Sequence, residues 1–249
     1  MDALQSDMDQ IVKSDTPADS EATLRLVTGA VLKLWDVVDD LSKLRPQHTP
    51  HYHVTIFGSA RIEEATPAYE AVKQLAAELA AMGCRIVTGG GPGLMQAANE
   101  GAREGAPDKP EASVGIRIDL DFEQHVNDFV GRVFEHKTFF SRLHHFILRS
   151  NAFIVTPGGV GTLLELAMVW QLLQVRKLYG TPLILVGDMW HELVDWAKRY
   201  MVDNGAGLAS GVDMQIPVVV DTIEDAVHLM REHHAKWLAE GQPNGAASE

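Results

Sequence analysis

A single cysteine among 249 residues, Cys84, rules out an intramolecular disulfide and a cysteine-rich metal site. It stands in the strand-like run Cys84-Arg85-Ile86-Val87-Thr88, where buried packing is the expected role. Cations are scarce as well: 21 Lys and Arg against 34 Asp and Glu give a formal net charge of -13. That balance disfavours the nucleic-acid backbone and anionic membranes as partners, and with them a DNA-handling role, but it leaves room for a local pocket that takes a small anion. No apolar run approaches the roughly 20 residues that span a bilayer, and the first residues lack the basic and apolar regions of a secretory signal, so a cytoplasmic location is expected. Neither the G-x-G-x-x-G order of a dinucleotide fold nor the G-K-[ST] ending of a P-loop occurs in the glycine-rich turns at Gly89 and Gly158, so bound NAD and nucleoside triphosphate hydrolysis are not indicated.

What is present, 46% hydrophobic and 22% charged residues, suits one sizeable α/β domain. Residues 1–21 mix Asp, Ser, Gln, Thr and Pro and are expected to be mobile, as is the tail over 240–249. Leu24, Val27, Val31, Leu34, Val38 and Leu41 recur at spacings of three and four, which predicts an amphipathic helix over 22–45 that packs on the main body or, as a second reading, on another subunit. From 52 to 239 strands and helices alternate. Strands are expected at Tyr52–Phe57, Cys84–Thr88, Ala112–Ile118, Asp128–Phe134, Ala152–Val155, Pro182–Val186 and Ile216–Val220. Helices are expected at Pro67–Met82, from a first turn that holds Pro92, at Lys137–Ser150, from Leu163, at Trp190–Asp203 and at Ile223–Leu238. This order predicts a Rossmann-like, doubly wound, mostly parallel sheet of about seven strands with helices on both faces. Ligands bind such sheets beyond the carboxyl ends of the strands, where the turns after Phe57, Thr88 and Thr156 all fall.

The most informative stretch is Thr156-Pro157-Gly158-Gly159-Val160-Gly161-Thr162-Leu163-Leu164-Glu165. Its glycines allow close approach of a ligand to the backbone, and the N–H groups of the following helical turn can hold a phosphate without a lysine. Thr162-Leu163-Leu164-Glu165 also fits a capping box, in which Thr162 caps the helix and Glu165 reaches back to a backbone N–H. Arg142, on the helix that returns from the carboxyl edge, is placed to contact a phosphate or a leaving group. Arg149, two turns later, should lie away, and Arg61 is a weaker candidate for the same pocket. His136, His144 and His145 lie on or beside that helix and His51 and His53 before the first strand; adjacent histidines on a helix point apart, and no metal site is expected.

Pro157-Gly158-Gly159-Val160-Gly161-Thr162-Leu163-Leu164-Glu165, with Gly89-Gly90-Gly91-Pro92-Gly93-Leu94-Met95 upstream, resembles the LOG family, often mislabelled as lysine decarboxylases, over roughly residues 52 to 220. The resemblance implies a Rossmann-like, usually dimeric protein that cleaves the N-glycosidic bond of nucleoside 5′-monophosphates such as AMP or cytokinin riboside monophosphates, with no cofactor. By motif position it implies Glu165 and Arg142 as catalytic residues. Phosphate and nucleotide binding then fall to Gly158, Gly159, Gly161 and Thr162, with Gly58, Ser59, Gly90, Gly91, Gly93 and Met95 shaping the pocket. Leu143 follows Arg142 where the family usually has lysine, a departure that bears on substrate choice. The rival expectation is a non-catalytic carrier or sensor of a nucleotide or pterin-type cofactor, which needs the phosphate cradle but not Glu165 as a reacting group. No lysine stands in a Schiff-base context for pyridoxal phosphate, so the decarboxylase label is not adopted.

Overall fold

The computed structural model describes residues 21–33, 51–119, 126–205 and 207–241. The chain divides into two compact units, Met1–Gln47 and His48–Glu249. In the first, residues 21–33 are helical, with Leu24, Val27 and Val31 on the exposed surface. The expected continuation of that helix to residue 45, the first 20 residues and the tail after Gly241 lie outside the described residues.

The second unit runs β1 (His53–Phe57), α1 (Pro67–Ala81), β2 (Arg85–Thr88), α2 (Leu94–Gly105), a 3-10 turn (Pro110–Ala112), β3 (Ser113–Ile118) and β4 (Arg132–His136). It continues with α3 (Phe139–Arg149), β5 (Ala152–Val155), α4 (Val160–Gln174), β6 (Leu183–Val186), α5 (Asp188–Ala197), a π-helical turn (Lys198–Asp203), a 3-10 turn (Asp213–Gln215), β7 (Pro217–Val220) and α6 (Ile223–Gly241). Seven strands pair in the order β4-β3-β2-β1-β5-β6-β7, every pair parallel. Strand order reverses between β1 and β5, and the crevice beyond their carboxyl ends is where such a sheet opens to a ligand.

Alternation along the strands builds two cores. Val54 and Ile56 of β1 face Val72, Leu75 and Leu79 of α1, Leu94 and Ala98 of α2, and Val227 and Met230 of α6. Phe57 faces the other way, into Val87, Phe146, Phe153, Leu166, Val169 and Trp190 beneath α3, α4 and α5. Cys84 is buried in the first of these cores. Among the described residues no helix is long and apolar enough to cross a membrane.

Several boundaries differ from those the sequence predicts. The fourth strand begins at Arg132, not Asp128, because Asn127 starts a turn: its side chain donates to Gly91 O at 2.9 Å, and its oxygen accepts from Phe129 N at 3.2 Å. Pro92 lies outside α2, whose N-cap is Gly93. Trp190–Asp203 is an α-helix to Ala197 and then a π-helical turn.

Gly93 is where the first two glycine-rich turns meet. Its φ of 68° and ψ of -134° suit only glycine, and a Cβ there would strike Ser59 O and Ala60. Gly93→Ala is therefore expected to cost about 3 kcal/mol, combining backbone strain with steric overlap. Urea unfolding should show a lower midpoint, and an unchanged midpoint would mean that the turn can relax away from Ser59.

Candidate active site

Hydrogen bonds draw three turns together at the carboxyl edge. Ser59 N donates to Pro157 O at 3.1 Å, while Thr156 N and Oγ1 donate to Phe57 O at 2.8 and 2.9 Å. Leu94 N donates to Ser59 O at 2.8 Å, which attaches the turn after β2. With the start of α3 they enclose a cleft of about 470 Å³ lined by Gly58, Ser59, Ala60, Arg61, Met95, Phe139, Arg142, Gly159, Val160, Gly161, Thr162 and Glu165.

Helix α4 starts at Val160 with Gly159 as its N-cap, and no side chain caps it. The capping box that Thr162 and Glu165 also fit does not form: the helix begins two residues before Thr162, which places both residues inside it. Leu163 N donates to Gly159 O at 2.9 Å, so the N–H groups of Val160, Gly161 and Thr162 precede the first intrahelical bond. Such donors, at the positive end of the helix dipole, have the chemistry of an anion cradle. A Cβ on Gly159 or Gly161 would meet nothing within 4 Å, so both glycines leave space for a ligand on the cleft side. Gly158 serves differently: a Cβ there would collide with Thr162, and Gly158 does not line the cleft.

Glu165 follows on α4 with its side chain only 13% exposed. Burial pushes its carboxyl up to about 7, against the opposing pull of Arg142. Arg142 Nη1 lies 3.7 Å from Glu165 Oε1, a loose pair. The guanidinium is held from the far side, where Nε donates to Ile116 O at 2.9 Å at the end of β3. Its room comes from Gly89, where a Cβ would collide with the guanidinium and with Met95 Sδ. Thr138 begins α3, its hydroxyl accepting from Ser141 N at 3.2 Å, and this aims the first turns of α3 at the cleft.

The raised carboxyl has a consequence for stability. An acid whose pKa is higher folded than unfolded favours folding in its protonated form, so stability falls as pH rises from about 4.5 through about 7. Glu165→Gln removes that liability and is expected to stabilise the protein at pH 8 by up to about 3 kcal/mol. At pH 4 the two proteins should melt alike. Equal melting temperatures at both pH values would contradict a buried, destabilised carboxyl.

Gly90, Gly91 and Gly93 do not line the cleft, although Met95 from the same turn does. Arg61 does too, whereas Arg149 packs against Phe134 away from it, its guanidinium carbon 4.6 Å from the ring centre. His136 Nε2 and His145 Nδ1 hydrogen-bond at 2.9 Å, and the described residues contain no group of three His, Cys, Asp or Glu able to hold a metal ion. The structure adds Phe139, a 50% exposed ring on the cleft wall. It also adds a buried polar ladder behind the second turn. Thr88 Oγ1 donates to Asn99 Oδ1 at 2.6 Å and accepts from Gly90 N at 2.9 Å, while Asn127 Nδ2 donates to Asn99 Oδ1 at 3.1 Å. Asn99, a fully buried amide on an otherwise alanine-rich helix face, was the signal in the sequence for this ladder.

A Rossmann-like α/β protein with an anion-accepting turn beside a buried glutamate–arginine pair is the class that fold and site define. A family model described as "Possible lysine decarboxylase" matches residues 95–230, more than half of the chain, and the chain belongs to that LOG-like family. No curated protein matches it. Among solved structures it is similar to the molybdenum cofactor carrier protein of Chlamydomonas reinhardtii, at 19% identity and a TM-score of 0.55 over 74% of this chain and 99% of that one. It is also similar to the molybdenum cofactor binding protein of Rippkaea orientalis, at 22% identity and a TM-score of 0.54 over 73% of this chain and 96% of that one. At these identities the likeness is one of fold.

Proposed function

We propose that the protein is a nucleoside 5′-monophosphate phosphoribohydrolase. Water adds across the N-glycosidic bond, its hydroxyl going to C1′ of the ribose and its proton to the base, which yields free base and ribose 5-phosphate. One observation carries this reading: the buried carboxyl of Glu165, pushed up to about 7, lines the same cleft as the open first turn of α4. In this reading the backbone N–H groups of Val160, Gly161 and Thr162 hold the 5′-phosphate, with Gly159 leaving room for it. The ribose then lies toward Glu165. Cleavage builds positive charge on the sugar, and a carboxylate poised near neutrality can stabilise that charge or accept a proton from the attacking water. Arg142 contacts the phosphate or the departing base, and Phe139 with Met95 offers the base an apolar wall. The homodimer that the resemblance implies, and a cytoplasmic location, belong to the same proposal.

The second reading is a carrier, favoured by the fold shared with proteins named for carrying or binding the molybdenum cofactor. A carrier uses the cradle but has no need of a carboxyl held destabilised in its wall. Lysine decarboxylation finds less support, since none of the described residues lining the cleft is a lysine. Incubation with AMP, CMP and GMP, followed by chromatography of the free bases, separates the first two readings. Release of one base supports the hydrolase; binding of a phosphorylated ligand without release of any base supports the carrier.

A further inference from the structure

At the opposite, amino-terminal edge of the sheet, the face on which α3 packs carries a histidine and arginines in place of aliphatic side chains. His53 of β1 pairs with Arg85 of β2, and Val114 of β3 with Arg132 of β4. Arg85 precedes Val87 by two residues, His53 precedes Phe57 by four and Arg132 precedes Phe134 by two, and all three followers belong to or pack on the core beneath α3. By strand alternation His53, Arg85 and Arg132 share that face. Arg149, the last residue of α3, comes back over the same edge. The guanidinium carbons of Arg132 and Arg149 lie 4.8 and 4.6 Å from the centre of the one Phe134 ring.

This cluster lacks the partners that arginines normally have. Among the described residues no ion pair reaches Arg85, Arg132 or Arg149. Arg149 Nε and His53 Nε2 are buried without a hydrogen-bond partner. Burial, with the charges of Arg132 and Arg85, lowers the pKa of Arg149, and burial, Arg149 and Arg85 push His53 down to about 3. Glu111 is the acid that acts on Arg85, and it does so from a distance. Collecting three like charges and an unpaired guanidinium N–H opposes folding unless a ligand offsets it. In a chain of net charge -13, general surface basicity does not account for the cluster.

We propose that Arg85, Arg132 and Arg149 form a second anion site, distinct from the cleft, which binds the phosphate group of a small phosphorylated ligand. Guanidinium forks match phosphate oxygens in pairs, and three cations suit a multiply charged group better than a single carboxylate. The site does not depend on the chemistry assigned to Glu165.

The test is titration of isotopically labelled protein with inorganic pyrophosphate at low salt, read from backbone amide shifts. Saturable shifts are expected at residues 131–134 and 149–151, apart from any at 158–162. Arg132→Ala, on the exposed edge strand, and Arg149→Lys should each weaken the amino-edge midpoint at least tenfold and leave the 158–162 midpoint unchanged. Absence of saturable shifts at 131–134 and 149–151 would overturn the proposal. So would an amino-edge midpoint that Arg132→Ala leaves unchanged, which also covers the case in which replacing Arg149 prevents folding. A response confined to 131–134 and 149–151 would support this site while counting against the phosphate cradle.

Discussion

Glu165→Gln is expected to lower base release from a nucleoside 5′-monophosphate by about 10²–10⁴-fold, the range over which a positioned acid–base group contributes. Glutamine keeps the shape of the side chain and loses its charge and its proton chemistry. Because no capping bond involves Glu165, the substitution leaves the start of α4 intact, and phosphate binding by Val160, Gly161 and Thr162 should persist. The loss therefore belongs in kcat, with KM little changed, as follows for an interaction made in the transition state. In the wild-type protein kcat/KM should rise with pH to a plateau above about 7, where the carboxylate is ionised. Wild-type turnover in Glu165→Gln would reduce Glu165 to a packing residue.

Arg142→Ala should be nearly as damaging, with kcat/KM lower by about 10²–10³-fold. Two effects combine. The cleft loses the cation that faces substrate, and Glu165 loses the one charge that opposes its burial, so the residual activity should need a higher pH than the wild type. Arg142→Lys should rescue little, because the anchor to Ile116 O uses Nε and a lysine has no second nitrogen to point at Glu165. Steady-state rates of base release across pH check both points. An unshifted profile in Arg142→Ala would mean that the 3.7 Å pair has no electrostatic effect on Glu165.

Much of this site can be read from the sequence, because its parts are local. Pro157 to Thr162 join a buried strand to a helix, and that context alone specifies a close-approach turn at the carboxyl edge. Arg142 can be placed for a similar reason, since a helix returning from that edge must begin near it. Thr-x-x-Glu fixes a spacing but not where a helix starts; Gly159 takes the cap, and Thr162 and Glu165 fall inside the helix. Phe129 and Val130 look strand-like in the sequence, but Asn127 bonds back to the second turn and the fourth strand starts only at Arg132. The arginines at 85, 132 and 149 do not group in the sequence. Their meaning lies in contacts between strands and helices far apart in the chain.

The central proposal is that the cleft hydrolyses what it holds. Its most direct test is a progress curve with AMP, CMP and GMP each in large excess over protein, counting free base per chain with Glu165→Gln alongside. Many bases per wild-type chain from one of the three nucleotides, with ribose 5-phosphate in equal amount and almost none from Glu165→Gln, is the predicted result. Nucleotide bound by both proteins and recovered intact would contradict it.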